Sequence, residues 1–257
     1  MLWNSSALNG YAIQAIDANI GTVSDILFDD THWAVRWLVV DTGYWLPGRK
    51  VLLPFSVLGE PDRDLRMFPV KLTKQQVKDS PDIDTDKSVS RQHEAHVYDY
   101  YGLDPYWSGG VCAAGNDMVL PFMRPSGGDG RREQLMANDT IVQEERGDAH
   151  LRSVSAITGY HLHATDGEFG HATEFLFNDA DWKIRYICVD TRNWWPGELV
   201  LISPRSVLEI DWAGRQIRLN ISRGQVKGSP PFHRSMTVDS AYDENFASYY
   251  ALGYPIM

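Results

Sequence analysis

The chain has 257 residues, of which 43% are hydrophobic, and a formal net charge of −10. This length allows one large domain or two small ones, and the acidic charge argues against direct nucleic-acid binding, which requires cations that neutralise phosphates. No stretch approaches the roughly 20 consecutive apolar residues of a transmembrane helix, and the first residues do not resemble a signal peptide. We therefore expect a cytoplasmic protein, associated with a membrane only peripherally.

Short β-branched and aromatic runs, separated by Gly, Asp, Asn and Pro, predict a mainly β fold. In the first half of the chain, strands are predicted at residues 11–16, 21–28, 33–41, 50–53 and 65–72, and a short helix at residues 90–101. Asp29 and Asp30 predict a hairpin turn. The strand at residues 33–41 is apolar on both faces, so one face is expected to fill a barrel and the other to meet a helix or the second half.

The segment at residues 108–149 is rich in Gly, Pro and polar residues, which predicts a flexible linker. After it the β pattern returns, and a second short helix is predicted at residues 239–250. The predicted strands of this half are residues 160–164, 170–177, 183–190, 198–202 and 216–221.

The two halves repeat each other at a shift of 149 residues, since 159 − 10 = 149 relates Gly10 to Gly159. A shared register of glycines, tryptophans and charged residues favours duplication over chance. Further pairs are Tyr11 with Tyr160, Gly21 with Gly170, Trp33 with Trp182, Arg36 with Arg185, Asp41 with Asp190 and Trp45 with Trp194. We therefore expect two modules with C-terminal helices, at residues 1–107 and 150–257.

An ordered set of motifs resembles the PRC-barrel family in both halves: a Gly-Tyr start, an Asp-x-x-x-Gly step, a Trp-x-x-Arg strand and a following Val-Asp-Thr. The resemblance covers most of residues 7–106 and 156–255. It implies two small antiparallel β-barrels, each followed by a short helix and packed together as a pseudo-dimer. The family barrel is known from the photosynthetic reaction centre H subunit and from a ribosome maturation factor, which both use it for protein association.

The resemblance implies a non-catalytic adaptor that binds other proteins. The chain lacks the membrane helix of the H subunit and the partner domain of the ribosome factor, so neither function carries over whole. One alternative is a peripheral accessory or assembly component of a photosynthetic or other membrane complex. A weaker alternative is a ribosome-assembly factor that acts through protein contacts, and homo-oligomers are also compatible with the sequence.

Carboxylates that recur in both halves suggest acid–base or metal chemistry, but they lie at predicted turns, where aspartate accepts hydrogen bonds from backbone N–H groups. No nucleophile elbow, phosphate loop or dinucleotide motif is found, so we predict no enzyme activity and no cofactor. His161, His163 and His171 could hold a transition metal, although solvent-facing histidines are commoner on strands, and no metal site is predicted. The recurring carboxylates are Asp17 with Asp166, Asp30 with Asp179, and Asp41 with Asp190.

Arg36 and Arg185 project from apolar strands, where a guanidinium needs a carboxylate partner or a place in an interface. Two aromatic loops are the best candidates for a contact surface, although their tryptophans can equally cap the ends of the barrels. The candidate interaction residues are Arg36, Trp45, Pro47, Arg185, Trp194, Trp195 and Pro196.

Overall fold

A computed structural model describes residues 2–81, 91–105, 151–191, 199–234, 236 and 238–250. The strands are β1 (Leu2–Asn4), β2 (Ala12–Gln14), β3 (Asn19–Asp29), β4 (Ala34–Asp41), β5 (Lys50–Pro54), β6 (Met67–Pro69), β7 (Leu151–Ser153), β8 (His161–Ala164), β9 (Gly167–Asn178), β10 (Ile184–Asp190), β11 (Leu199–Ile202), β12 (Val207–Asp211) and β13 (Gln216–Leu219). The helices are α1 (Ser5–Leu8), α2 (Lys74–Lys78), α3 (Arg91–Tyr101), α4 (Val154–Ile157), α5 (Arg223–Lys227) and α6 (Ser240–Tyr249).

The strands form two sheets of mixed direction. One sheet has the order β5-β4-β3-β2-β6, and the other has the order β11-β10-β9-β8-β13-β12. The hairpin predicted at Asp29 and Asp30 joins β3 to β4. The expectation of purely antiparallel sheets is wrong, because β2 pairs with β6 and β8 pairs with β13 in parallel. In the first sheet, a turn between Asp62 and Met67 reverses the chain once more before β6, which then runs alongside β2 in the same direction.

Each sheet is extended by a strand from the other half of the chain. β1 pairs antiparallel with β9, and β7 pairs antiparallel with β3. The registers correspond: Leu2 lies opposite Asn178, and Leu151 lies opposite Asp29. Each half therefore supplies one strand to the sheet of the other half. The halves cannot separate without breaking the backbone hydrogen bonds of these two strands.

The two β hairpins also meet directly at their turns. The N–H of Val35 donates to the carbonyl of Trp182 at 2.9 Å, and the N–H of Ile184 donates to the carbonyl of Trp33 at 2.7 Å. Trp33 and Trp182 adopt left-handed backbone conformations, with φ of 55° and 49°, which a large side chain rarely takes. The reciprocal hydrogen bonds and the packing of the Trp182 ring against Phe55, with centroids 4.4 Å apart, compensate for this strain.

A β-bulge changes the strand face predicted for part of β4. Leu27 pairs with Trp37 but Phe28 pairs with Val35, so Arg36 is an extra residue in the strand. Val35 consequently packs in the main core instead of on the side of Trp37, where simple alternation would put it. An equivalent shift in β10 falls between Ile184 and Tyr186.

One continuous apolar core runs through both sheets, and two smaller clusters lie on their outer faces. α3 covers the first cluster, where the indole N–H of Trp37 donates to the fully buried carboxylate of Glu94 at 2.6 Å. α6 covers the second, where the hydroxyl of Tyr186 donates to Asp243. Both helices therefore dock through an aromatic donor on the sheet and a carboxylate on the helix, at the places predicted for them.

Candidate interaction surfaces

A tight turn at the edge of the first sheet, residues 62–66, presents two arginines and is called here the first arginine turn. The Asp62 carboxylate accepts a hydrogen bond from the N–H of Leu65 at 2.8 Å. Arg66 takes a left-handed conformation with φ of 50°, and its carbonyl accepts a hydrogen bond from the N–H of Ala12 at 2.9 Å. Because these hydrogen bonds hold the backbone of the turn, the Cα atoms of Arg63 and Arg66 have fixed positions.

Both arginines of this turn lie over aromatic rings. The guanidinium carbon of Arg63 is 4.0 Å from the centroid of the Trp3 ring, and that of Arg66 is 5.3 Å from the Tyr11 ring. The two rings meet edge to face with centroids 6.0 Å apart. Such cation–π contacts orient a guanidinium, and Arg63 also donates to the carbonyl of Leu2 at 3.0 Å. The turn thereby anchors β1 to its own half while β1 pairs with β9.

The second arginine turn, residues 211–215, also makes two cation–π contacts, but in one of them the turn supplies the aromatic ring instead of the cation. Arg215 lies 5.6 Å from the Tyr160 ring, as Arg66 lies over Tyr11. The other pair is reversed, because the aromatic residue Trp212 is in the turn and the cation Arg152 is on β7, 5.0 Å apart. Arg152 also forms an ion pair with Asp30 of the first half.

Each arginine turn exposes an apolar side chain beside its cations. Leu65 is 66% exposed in the first turn, and Trp212 is 39% exposed in the second. The first turn also borders a cavity of about 170 Å³. The side chains that line the cavity are Leu2, Trp3, Asn4, Ala7, Tyr11 and Arg63. An oriented guanidinium next to apolar surface can bind a carboxylate and a neighbouring apolar group together.

Sequence reasoning missed these turns. Arg66 and Arg215 recur at the shift of 149, as Tyr11 and Tyr160 do, which is the signal that could have found them. Their pairing with an aromatic ring depends on the parallel placement of β6 beside β2, which the sequence did not predict.

The first predicted aromatic loop, which carries Tyr44, Trp45 and Pro47, lies at one end of the first sheet between β4 and β5. The indole N–H of Trp45 donates to the carbonyl of Ile20 at 2.9 Å, and the half-buried ring packs against the main core. Lys74 lies 4.7 Å from the centroid of that ring. Trp45 therefore caps this end of the sheet, while Pro47 is exposed beside it. Trp194, Trp195 and Pro196 lie outside the described residues.

Arg36 forms an ion pair within its own hairpin. Its guanidinium donates to the buried carboxylate of Asp29 at 2.9 Å, and Asp29 also accepts hydrogen bonds from the N–H of Thr31 at 2.8 Å and the ring of His32 at 2.8 Å. Burial alone would raise the pKa of Asp29, but the hydrogen bonds from Arg36, His32 and Thr31 outweigh it and lower the pKa to about 2. This geometry matches the salt-bridge interpretation of Arg36.

Arg185, the residue that corresponds to Arg36, has a weaker partner. It lies 3.8 Å from Asp181, and both side chains are more than a third exposed, so water screens the attraction. Asn178 occupies the place that corresponds to Asp29 and carries no charge. Arg36 and Arg185 therefore pair with different carboxylates, each within its own hairpin.

The recurring carboxylates accept hydrogen bonds from different groups. Asp17 accepts one from the N–H of Lys74 at 2.8 Å and Asp166 from the N–H of Arg223 at 2.7 Å, so each caps a short helix that is distant in sequence. Asp41 binds the N–H of Gly43 at 2.8 Å, as expected of a turn residue. Asp30 pairs instead with Arg152 of the other half, which the turn interpretation did not anticipate.

The histidines of β8 share one carboxylate. His161 lies 2.7 Å from Glu168 and His163 lies 3.6 Å from it, while His171 is on the neighbouring strand. In the described part of the chain, no group of three His, Cys, Asp or Glu side chains is arranged to hold a metal ion. Burial raises the pKa of the Cys188 thiol to about 11, so this cysteine is a protonated core residue at neutral pH.

The model of one protein family matches the first half of the chain. It is described as the PRC-barrel domain and matches residues 4–77, which run from the end of β1 to α2. The first half contains a PRC-barrel domain. No curated protein matches the chain. Across the described ranges, no helix of the chain is both long enough and apolar enough to cross a bilayer.

Proposed function

We propose that this chain is a non-catalytic, protein-binding adaptor of the cytoplasm, in which two PRC-barrel-like halves pack as a pseudo-dimer. The observation that carries the proposal is the arginine turn, which each half presents once. Arginine is enriched among the residues that contribute most to binding at protein interfaces, and each turn presents an arginine next to an exposed apolar side chain, Leu65 in the first turn and Trp212 in the second. Two such turns on one chain would let it bridge two partner proteins.

The second half supports the duplicated-barrel part of the proposal. Strand exchange, bulges, outer helices and arginine turns recur there at the spacing of the sequence repeat. A pseudo-dimer of related barrels would leave one binding turn on each half.

Affinity purification from the native host, with matched variants, tests the adaptor. Leu65→Ser removes the exposed apolar group of the first turn, and Trp212→Ser that of the second. Leu208→Ser is the control, because Leu208 is 68% exposed on β12, outside both turns. We expect each turn variant to lose one stoichiometric partner protein and the control to lose none. Equal recovery of all partners by the three variants, each shown to be folded by its thermal transition, would refute the proposal.

A further inference from the structure

A cavity of about 250 Å³ lies where the two halves of the chain meet, and we call it the junction cavity. Its walls come from α1 and β3 of the first half and from α4 and β9 of the second. Corresponding residues of the repeat line it from both halves, Ser6 with Ser155 and Ser24 with Thr173. Since a water molecule takes about 30 Å³ in the liquid, this space is large enough for about eight waters or one small ligand.

Six hydroxyl side chains line the junction cavity, and most of their protons are given to other protein groups. The hydroxyl of Ser24 donates to the carbonyl of Val39 at 3.1 Å. Its counterpart Thr173 donates to the carbonyl of Cys188, also at 3.1 Å. The other hydroxyls that donate within the chain are Ser6 to Glu174, Ser155 to Asp25, and Thr158 to the carbonyl of Val154. A hydroxyl whose proton is already used offers lone pairs to the cavity, so these walls mainly accept hydrogen bonds.

Asp25 adds a negative charge to the wall. Its carboxylate accepts hydrogen bonds only from neutral donors in the described part of the chain. These donors are the N–H of Ile26 at 2.7 Å, the N–H of Ser155 at 3.1 Å, and the hydroxyls of Ser153 at 2.5 Å and Ser155 at 2.8 Å. No lysine, arginine or histidine is among the described residues that line the cavity. The charge of Asp25 is therefore hydrogen-bonded but not neutralised.

The corresponding carboxylate of the second half, Glu174, does have a cation beside it. Glu174 is buried, and a guanidinium nitrogen of Arg234 lies 3.8 Å from its carboxylate. Arg152, the arginine of β7, is paired with Asp30 at 2.5 Å and so does not neutralise Asp25. The two halves of the cavity are alike in shape but differ in charge, and the uncompensated charge lies on the side of Asp25.

We propose that the junction cavity binds a primary alkylammonium ion, with the ammonium group at Asp25 and the carbon chain against Val23, Ile26 and Val154. An ammonium group has three donors and no acceptor, which matches walls that present a carboxylate and hydroxyl lone pairs. A carboxylate or phosphate ligand would meet acceptors and a like charge in the same place. The aliphatic walls require a ligand with an apolar chain, because a bare ammonium or metal ion would leave them in contact with water.

Titration of the full chain with n-butylammonium chloride tests the proposal, followed by ligand-observed NMR and by the thermal transition. Concentrations reach about 10 mM, because a ligand of about five heavy atoms typically binds in the range of about 1 mM. 1-Butanol is the control for the carbon chain, and potassium chloride is the control for ionic strength. We expect n-butylammonium alone to show bound-state line broadening and to raise the transition temperature. No effect of n-butylammonium, or an equal effect of 1-butanol, would overturn the proposal.

Two corresponding carboxylates then test where the ammonium group lies. Asp25→Asn is expected to weaken binding by about tenfold or more, because it removes the charge and keeps the shape. Glu174→Gln is the matched control, since Glu174 also accepts a hydrogen bond from a serine of the other half but is already paired with Arg234. Equal weakening in the two variants would refute the assignment to Asp25.

A second pair of variants leaves every carboxylate in place. Thr158 is exposed at the rim of the cavity, and Thr158→Trp is expected to fill the space and abolish binding. Ala156→Trp is its control, because Ala156 is equally exposed on α4 but does not line the cavity. Unchanged binding in a folded Thr158→Trp variant would overturn the proposal.

The same ammonium group occurs on a free amine and on a lysine side chain of a partner protein. Nα-acetyl-lysine amide distinguishes these sources: tighter binding than n-butylammonium would assign the cavity to a partner's lysine, and exclusion would assign it to a free amine. The inference is independent of the adaptor proposal, because Leu65 and Trp212 do not line the cavity. Leu65→Ser and Trp212→Ser should therefore bind n-butylammonium like the unmodified chain.

Discussion

Both halves of the chain hold their exchanged strand with a cation–π contact, but they place the cation and the ring on opposite elements. In the first half an arginine of the turn lies over a tryptophan of β1, whereas in the second half a tryptophan of the turn lies under an arginine of β7. The contact is a cation over a ring in both cases, and it holds the exchanged strand to its own half. The fold therefore requires a cation–π contact between the turn and the exchanged strand, but either of the two can supply the cation.

The contacts that hold α3 and α6 to the sheets differ in how deeply their carboxylates are buried. Glu94 is fully buried against Trp37, whereas Asp243, which bonds Tyr186, lies on the exposed side of α6. A hydrogen bond to a buried carboxylate is costly to lose, while an exposed carboxylate is readily hydrated. The first half should therefore depend more on its helix contact than the second half does.

The largest expected difference concerns two corresponding glycines. A Cβ at Gly21 would lie 2.1 Å from the carbonyl oxygen of Asp41, and a Cβ at Gly170 would lie 2.3 Å from that of Asp190. Gly21 also has φ of 137°, which side-chain-bearing residues rarely adopt. We expect Gly21→Ala to lower the free energy of unfolding by about 3 kcal/mol or more, and Gly170→Ala by about 1 kcal/mol less than that.

Urea-induced unfolding of each variant measures this difference. Gly10→Ala is the control for backbone strain alone, because Gly10 has φ of 77° but open space at the Cβ position. A loss in Gly10→Ala as large as that in Gly21→Ala would contradict the role of the close approach to Asp41.

The next largest effect is expected from the aromatic donors beneath the outer helices. Trp37→Phe removes a hydrogen-bond donor from the fully buried Glu94, and we expect a loss of about 2 kcal/mol in the free energy of unfolding. Tyr186→Phe leaves Asp243 accessible to water, and we expect a loss of about 1 kcal/mol. Thermal and urea denaturation of the two variants compares them directly, and equal losses would refute the burial argument.

An acid-sensitive contribution to stability is expected in the first half and not at the corresponding place in the second. Asp29 has a pKa of about 2 in the folded chain, below the roughly 3.9 of an unfolded aspartate. Its stabilisation is therefore complete above about pH 5 and is lost as the pH falls through about 2, by about 2 to 3 kcal/mol in total. Asn178 holds the corresponding place and does not titrate.

Unfolding free energies measured from pH 5 to the acid limit, on the unmodified chain and on Asp29→Asn, test this expectation. The variant should show a flatter decline below about pH 4. Asp41→Asn is the control, because Asp41 is exposed and accepts a hydrogen bond from the N–H of Gly43 instead of forming a buried ion pair. A decline in Asp29→Asn as steep as in the unmodified chain would show that another group carries the acid sensitivity.

The smallest expected effect tests the reversed cation–π pair. Trp3→Arg alone should destabilise the chain, because Trp3 is 6% exposed and packs in the core. Adding Arg63→Trp recreates the order found in the second half, and we expect the second change to recover about 1 kcal/mol. A double-mutant cycle by urea denaturation measures this coupling, and a coupling of zero would show that the geometry at Trp3 accepts only one order.

The positions of several strands and of α6 could be predicted from the local sequence pattern. The runs at residues 33–41 and 183–190 correspond to β4 and β10 within a residue, since β-branched and aromatic residues between turn signals specify strands directly. The Asp239 cap that starts α6 is likewise visible in the sequence. The capping box of α2, Thr73 with Gln76, follows the predicted strand at residues 65–72 and was equally readable, but no helix was predicted there.

The exchanged strands could not be predicted in the same way. β1 and β7 have three residues each, too few for a period to be recognised, and their partners lie more than 100 residues away. The bulge at Arg36 is also invisible to simple alternation, because it inserts a residue without any change of composition. For Trp45 the sequence left a contact role and a capping role open, and the structure shows the ring capping the sheet. The arginine turns depend on tertiary placement, which local pattern does not reveal.

The exchange of β1 and β7 has a consequence for synthesis on the ribosome. β3 ends at Asp29 but receives β7 only after Ser153 has been made, and β1 waits for Asn178. At about 5–20 residues per second, an interval of more than a hundred residues lasts on the order of 10 s. During that time the edge of β3 is unpaired and β1 has no sheet to join. The emerging first half must therefore remain soluble with an open strand edge until residues 151–153 have been made.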